Sequence, residues 1–156
     1  MARVNLIKQG KGGVGKSFAA TNLAQYEIHK GQKPVCVDTD PVNATFEGFK
    51  ALNVKRLEIM GKNKIIPRRF DDLIEIIAST KDNDLIIDNG ASSFVPLSHY
   101  IISNDIPTLI KDMGHELIIH TIVVGGQSLL DTVNGFAQIA SQFPENIGFV
   151  VWLNPF

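Results

Sequence analysis

The sequence predicts a three-layer α/β domain, in which helices cover both faces of a mainly parallel β-sheet. Two observations predict this class. Short apolar runs alternate with segments of helical periodicity from one end of the chain to the other, which is typical of βαβ units. A glycine-rich segment also joins the first apolar run to the first helical segment, at the edge where parallel sheets bind ligands.

Each element follows from a local pattern, an apolar run for a strand and apolar residues at helical spacing for a helix. The first helix depends on the recurrence of Phe18, Leu23 and Tyr26. The last helix begins after Ser128, its predicted N-cap, and ends before Pro144. In order, the predicted elements are strand 3–9, helix 17–29, strand 34–39, helix 70–80, strand 84–88, helix 105–113, strand 117–124, helix 127–142 and strand 147–153.

Length and composition fit one domain over residues 1–156. The net charge is −1 and the charges are mixed, so the sequence carries no nucleic-acid-binding signature. The single cysteine, Cys36, lies in an apolar run and is expected to be a small buried side chain. One cysteine does not support a disulfide framework or a metal-cluster framework. With no signal-peptide core and no apolar run near the ~18 residues of a membrane span, we expect a cytoplasmic protein, with peripheral membrane contact left open.

The residues from Gly10 to Ser17 fit the pattern G-x-x-x-x-G-K-[ST], which is typical of a phosphate-binding loop. In this pattern the glycines turn backbone N–H groups toward phosphate oxygens, Lys16 reaches the β- and γ-phosphates, and the Ser17 hydroxyl binds Mg²⁺. A helix that begins near Ser17 would direct the positive end of its dipole to the same place. The alternative is a glycine-rich turn with incidental lysines, but a predicted strand before the loop and a helix after it favour phosphate binding.

Acidic residues follow two other predicted strands. Asp88 ends strand 84–88, and Asp38 and Asp40 stand at the end of strand 34–39, before Pro41. Because parallel strands end at one edge of the sheet, Asp88 is expected to bind Mg²⁺ as a Walker B acid does. Strand alternation would direct Asp38 and Asp40 to one side, toward the same site. Turn formation is the alternative for each acid, since Asp and Asn favour turns.

Together with Lys11, these segments resemble the ParA/MinD family of P-loop ATPases. That family has the deviant loop K-G-G-x-x-G-K-[ST], which Lys11 to Ser17 match. The resemblance covers nearly the whole chain in order and implies the three-layer P-loop NTPase fold. It also implies an ATPase that binds Mg²⁺ and ATP, hydrolyses ATP to ADP, and forms a homodimer when ATP is bound.

The resemblance implies a role for each matching residue. Lys11 would cross the dimer interface to the phosphates of the partner's nucleotide, where its charge would act as an arginine finger does. Asp40 would position the attacking water, Asp38 would support the Mg²⁺ site, Asp88-Asn89-Gly90 would begin the switch that senses the γ-phosphate, and Asn154 would contact adenine. The expected site residues are catalytic Lys11, Lys16 and Asp40; nucleotide-binding Gly10, Lys11, Gly12, Gly13, Val14, Gly15, Lys16, Ser17, Phe18 and Asn154; and metal-binding Ser17, Asp38 and Asp88.

Within the family, stretches 38–46, 51–54 and 128–132 are most similar to the accessory ATPases of conjugative plasmids called TraL. The expected partner is therefore a protein of the conjugation machinery. The chain departs from many relatives at Val42, where glutamine is usual, and at Asn89, where threonine or a small residue is usual. It is also shorter than is usual in the family, so we expect that a C-terminal part is missing or that another chain covers the last strand.

Two other functions fit the same residues. The first is a binding module in which nucleotide fixes the shape and a partner docks on residues 42–70, which include the only locally basic stretch. A solvated face is the simpler explanation of those charges. The second is a small-molecule ATP-dependent ligase on the same fold, similar to dethiobiotin synthetase, whose second substrate would stimulate ATP consumption.

Overall fold

The structure is a computed structural model that describes residues 1–155. Phe156, the last residue of the predicted domain 1–156, lies outside the described residues. Within residues 1–155 there are six strands and five α-helices, with short 3-10 turns at 50–52, 91–93 and 126–128. Their bounds, in chain order, are β1 Arg3–Ile7, α1 Lys16–His29, β2 Val35–Asp38, β3 Lys55–Arg56, α2 Pro67–Ser79, β4 Leu85–Asp88, α3 Phe94–Ser103, α4 Ile106–Asp112, β5 Glu116–Val124, α5 Leu129–Gln142 and β6 Gly148–Asn154.

The six strands form one parallel sheet with the order β3-β2-β4-β1-β5-β6. The register aligns the carboxyl ends of the three central strands, because Asp88 of β4 pairs with both Ile7 of β1 and Asp38 of β2. The loop after β1 therefore lies at the same edge as the acids that end β2 and β4, as the sequence predicts for a parallel sheet.

The predicted α/β class, all five predicted strands and all four predicted helices are confirmed, with ends that shift by a few residues. Two elements are absent from the sequence prediction. Helix α3 carries a helical pattern, since Phe94, Leu97 and Ile101 are buried at three- and four-residue spacing, but serines and Pro96 interrupt it. Proline is tolerated there because the first turn of a helix needs no backbone donor at this point. Strand β3 consists of two charged, exposed residues, so it has no apolar pattern from which it could be predicted.

Helix α1 is confirmed, but two of the three large apolar residues that predicted it do not face the sheet. Phe18 and Tyr26 are 74% and 55% exposed, whereas Ala20 and Ala24 are fully buried. Small side chains allow a helix to approach a sheet closely, so the alanine face packs on the strands with Leu23 beside it, while Phe18 and Tyr26 point away. The spacing of large apolar residues therefore predicted a helix but not the side that it buries.

Helices cover both faces of the sheet. On one face, the alanines of α1 and the fully buried Phe46 pack against alternate strand residues such as Cys36 and Ile86. On the other face, a larger cluster joins side chains of α2, α3, α4 and α5 to the remaining strand residues, including Leu85 and Ile119. The prediction of Cys36 as a small buried side chain agrees with its 2% exposure.

The start of α5 and the outer strand β6 complete the fold. Ser128 occupies the predicted N-cap position, but its side chain makes no capping hydrogen bond. Thr132 has the connecting role instead, because its Oγ1 donates to Ser128 O at 2.9 Å and accepts from Val124 N at 3.1 Å. Leu153 of β6 is 79% exposed at the edge of the sheet. None of the helices in the described part of the chain has the length and apolarity to cross a membrane.

Candidate phosphate-binding site

The glycine-rich loop connects β1 to α1 at the carboxyl edge of the sheet. Gly15 is the N-cap of α1 and has a φ of 104°, a left-handed conformation that side chains strongly disfavour. Val14 is only 3% exposed, and its side chain packs in the core beside α1. The buried valine anchors the loop while the glycines keep its outer surface open, which leaves the N-terminus of α1 facing solvent as an anion site.

Lys16 lies inside this loop and is 9% exposed. Its Nζ donates to the carbonyl oxygen of Lys11 at 2.9 Å, so the side chain curls back along the loop. Burial lowers the pKa of Lys16, while the carboxylates of Asp88 and Asp40 act in the opposite direction. A phosphate in the loop would offer the ammonium a charged acceptor in place of a carbonyl.

Ser17 and Asp88 meet as the sequence predicts for a Mg²⁺ site. Ser17 Oγ donates to Asp88 Oδ2 at 2.5 Å. The carboxyl group is 1% exposed, and its other oxygen, Oδ1, has no hydrogen-bond partner within the described residues. Burial is the main cause that raises the pKa of Asp88 to about 7, with the charges of Asp38 and Asp40 adding to it. A bound dication would favour the ionised form.

These oxygens fit Mg²⁺ chemically. Mg²⁺ prefers hard oxygen ligands and commonly takes one or two from the protein and the others from water and substrate phosphates. Over residues 1–155 there is no group of three or more His, Cys, Asp or Glu side chains that could hold a metal alone. The pair of Ser17 and Asp88 would therefore bind the ion together with a phosphate ligand.

The two acids after β2 have different surroundings. Asp38 is fully buried, and its carboxylate accepts Asp40 N at 3.0 Å through Oδ1 and Glu47 N at 2.9 Å through Oδ2. Burial raises the pKa of Asp38, whereas these two backbone hydrogen bonds lower it. The strand ends at Asp38, so the predicted alternation does not extend to Asp40. In this arrangement Asp38 holds the loop that follows β2.

Asp40 lines the cavity beside the phosphate loop. Its Oδ1 accepts Val42 N at 2.9 Å and Asn43 N at 3.0 Å, which closes a turn immediately after the strand. Gly90, from the loop after β4, lies against the carboxyl group so closely that a Cβ there would come within 2.6 Å of Oδ1. The position of Asp40 therefore depends on the absence of a side chain at residue 90.

A cavity of about 550 Å³ lies between the phosphate loop, the start of α1 and the loops after β2 and β4. Its size is suited to a small organic ligand. Phe18 lies on its rim with an exposed ring. The lining residues are Gly12, Gly13, Gly15, Lys16, Ser17, Phe18, Asp40, Val42, Asn43, Thr45, Ala91 and Ser92.

Four predicted nucleotide-binding residues are not among those that line this cavity. Gly10 contacts the ring of Phe94, and the side chain of Val14 belongs to the core. Lys11 Nζ forms an ion pair with Asp131 Oδ2 at 2.9 Å. Asn154 is the last residue of β6, and its Nδ2 donates to the carbonyl oxygen of Val14, in the backbone of the loop, at 3.2 Å.

The contacts of three residues in this region are not predicted by the sequence. Asp131 lies in the stretch 128–132, where an acid in the first turn of α5 is a common helix-start signal, but nothing local predicts its ion pair with Lys11. Gly90 belongs to the predicted switch, and a glycine at a strand end often permits close approach, but its contact with Asp40 is seen only in the structure. Lys8 carried no signal at all, since the sequence cannot reveal that this lysine is fully buried.

Comparisons with known proteins agree with this geometry. Residues 6–152 match the family model described as the CobQ/CobB/MinD/ParA nucleotide binding domain. Two proteins from Escherichia coli, each named Protein TraL, are 67% and 66% identical to the chain over all of its 156 residues. The chain spans 64% of the length of each of these relatives. The predicted resemblance to the ParA/MinD family and to TraL is confirmed. Because the family model extends over most of the sheet and its phosphate loop, the chain belongs to the CobQ/CobB/MinD/ParA family of nucleotide-binding domains.

Proposed function

We propose that this chain is a Mg²⁺-dependent ATPase that acts as a slow switch, with ATP-dependent dimerisation, in plasmid conjugative transfer. The observation that carries the proposal is the contact between Ser17 Oγ and Asp88 Oδ2, beside the buried Asp88 Oδ1, which has no hydrogen-bond partner among residues 1–155. These groups supply the protein oxygens that a Mg²⁺ ion bound to nucleotide phosphates requires. Such a site would work in the cytoplasm, where ATP is available.

ATP hydrolysis needs two further functions, and a residue is available for each. Lys16 would bind the β- and γ-phosphates, where its charge stabilises negative charge in the transition state. Asp40 lines the same cavity and would orient the attacking water. The bound Mg²⁺ would supply charge neutralisation on the phosphate oxygens.

The dimer and the place in conjugation are supported by the exposed Lys11 and by the relatives. The Lys11 side chain is 44% exposed and forms a surface ion pair with Asp131, which would cost little energy to break when Lys11 reaches a second chain. The two similar proteins are TraL proteins, which supports a partner in the conjugation machinery.

Calorimetric titration of Mg-ATP tests phosphate binding. Lys16→Ala should weaken binding about 10- to 100-fold, because one charge-assisted contact to the phosphates is lost. Lys33→Ala, an exposed lysine beyond the end of α1, is the matched control and should bind as the original chain does. Equal affinity in the Lys16 variant and the original chain would contradict the proposed phosphate site.

Turnover tests the catalytic part separately. Asp40→Asn keeps an oxygen that can accept the two backbone N–H groups of the turn but removes the charge, so Mg-ATP affinity should change by less than about threefold. The rate of phosphate release should fall roughly 100-fold, which is the range for losing a residue that handles the attacking water. Binding without turnover by the original chain would instead favour the nucleotide-dependent binding module.

A further inference from the structure

Lys8 is a fully buried lysine immediately after β1, two residues before the phosphate loop. Its Nζ donates to the carbonyl oxygen of Phe94, the first residue of α3, and lies 4.4 Å from the centre of the Phe94 ring. Among the ion pairs of residues 1–155, none involves Lys8. Its amine therefore has a carbonyl and an aromatic face as neighbours, where a buried lysine ordinarily has a carboxylate.

This arrangement does not benefit stability in an obvious way. Burying an amine without an opposite charge is unfavourable, and an apolar side chain of similar volume is commonly tolerated at such positions. Burial, with the nearby charge of Lys16, lowers the pKa of Lys8 to about 7. A methionine at this position would have a similar volume but no N–H donor. The hydrogen bond to α3, and not the energy of burial, is therefore what the lysine provides here.

Phe94 is held to Lys8 by its backbone and to Gly10, the first residue of the phosphate loop, by its ring. Its carbonyl oxygen also accepts Ser98 Oγ at 2.8 Å. Its ring lies against Gly10, where a Cβ would come within 3.1 Å of Cδ1. The first turn of α3 and the first residues of the phosphate loop are therefore packed as one unit.

The segment immediately before Phe94, residues 89–93, contains buried polar atoms whose hydrogen bonding is incomplete. Asn89 Nδ2 and Ser93 Oγ are buried without a hydrogen-bond partner in the part of the chain that the structure describes. Ala91 and Ser92 line the cavity. Buried polar atoms that lack partners favour rearrangement to a conformation in which they gain one.

We propose that Lys8 is a positioning residue. It fixes the first turn of α3 beside the phosphate loop, so that α3 stays in place while residues 89–93 rearrange when the bound nucleotide changes. This inference rests on the proposed nucleotide switch. Lys8 has no exposed surface and does not line the cavity, so its hydrogen bond to Phe94 is the contact through which it would act on nucleotide chemistry.

The first test measures hydrogen exchange in the full nucleotide-free chain. Lys8→Met removes the donor but keeps the volume, so amides 98–101, which form the first helical hydrogen bonds of α3, should exchange about tenfold faster. Amides of α2 should exchange as before, and the melting temperature should not fall. Lys111→Met, an exposed lysine on α4, is the matched control and should leave exchange in α3 unchanged. Unchanged exchange at 98–101 in the Lys8 variant, or a general loss of protection in all helices, would overturn the proposal.

The second test compares steady-state ATP hydrolysis by the same variants. Lys8→Met should lower kcat about tenfold while KM for ATP stays within about twofold. The cavity would be intact, and only the attachment of α3 next to residues 89–93 would be lost. A parallel loss of binding and turnover would indicate a merely structural residue and would overturn the proposal. If the original chain shows no nucleotide binding, the proposed function fails, whereas the exchange experiment still decides whether Lys8 holds α3.

Discussion

Lys11 is paired with Asp131 of α5, and this contact would compete with the proposed reach of Lys11 toward a second chain. The two side chains are 44% and 57% exposed, so the ion pair contributes at most about 1 kcal/mol. Asp131→Asn should therefore leave the free energy of unfolding within about 1 kcal/mol of the original and should strengthen ATP-dependent association roughly two- to fivefold. Sedimentation with and without ATP measures this, and weaker association of the variant would contradict the competition.

His120 is a second residue whose behaviour the structure defines. Trp152 Nε1 donates to its Nδ1 at 3.0 Å, so Nε2 carries the proton and donates to Asn5 Oδ1, also at 3.0 Å. Burial, with a smaller effect of Arg3, lowers the pKa of His120 to about 4. Protonation of Nδ1 would place two donors face to face.

A pH titration that follows the fluorescence of the single tryptophan, Trp152, tests this hydrogen-bond network. The unfolded chain binds a proton at His120 below pH ~6.5, whereas the folded chain does so only near pH 4. The neutral His120 network therefore stabilises the fold above pH ~6.5, and this stabilisation, at most about 3 kcal/mol, is lost as the pH falls from ~6.5 to about 4. Trp152 fluorescence should change near pH 4 and not near pH 6.5. His120→Asn, which keeps an acceptor but does not titrate, should abolish that change. A transition near pH 6.5 in the original chain would contradict the assigned hydrogen bonds.

At the scale of elements, the loops after β2 and β4 are interlocked at Asp40 and Gly90. A methyl group at residue 90 would come within 2.6 Å of Asp40 Oδ1 and displace the carboxyl group from the turn that it closes. Gly90→Ala should therefore cost roughly 1–3 kcal/mol in unfolding free energy, as overpacking does. Turnover should fall about as far as in Asp40→Asn, while phosphate binding by Lys16 persists.

A glycine with ordinary surroundings provides the control for this prediction. At Gly148 a Cβ would meet Ile118 Cγ1 at 3.5 Å, an ordinary contact distance. Gly148→Ala should therefore change stability and turnover little, since β6 has room for the methyl group. Denaturant unfolding measures the stability of both variants, and phosphate-release assays measure their turnover. Turnover in Gly90→Ala equal to that of the original chain would contradict the proposed dependence of Asp40 on Gly90.

For the whole molecule, the central question is whether two chains close around nucleotide. Lys11→Ala should bind Mg-ATP with near-original affinity, because in the single chain its amine is directed to Asp131 and does not line the cavity. ATP-dependent dimerisation should be lost, since the cross-subunit charge is missing. Light scattering with and without ATP measures the change, and an unchanged ATP-dependent dimer would exclude the cross-subunit role of Lys11.

Much of the fold could be predicted because its signals are local. The apolar runs of β1, β2, β4, β5 and β6 are buried on both sides of a parallel sheet, which makes them visible as continuous apolar segments. The phosphate loop and the strand-end acids Asp38 and Asp88 follow from spacing and from the rule that parallel strands end at one edge. Helix α3 and strand β3 were missed because packing stabilises one and pairing with β2 stabilises the other.

The sequence alone determined the fold class, the phosphate loop and the edge of the sheet where the candidate site lies, because chain connectivity and strand direction bring these residues together. Only the tertiary structure decided how each side chain is used. It buried the alanine face of α1 in place of Phe18, enclosed Asp38 among backbone donors and left Asp40 at the cavity. It also joined Lys8 to α3. These contacts link residues far apart in the chain, and their energies depend on packing distances and desolvation that no local pattern records.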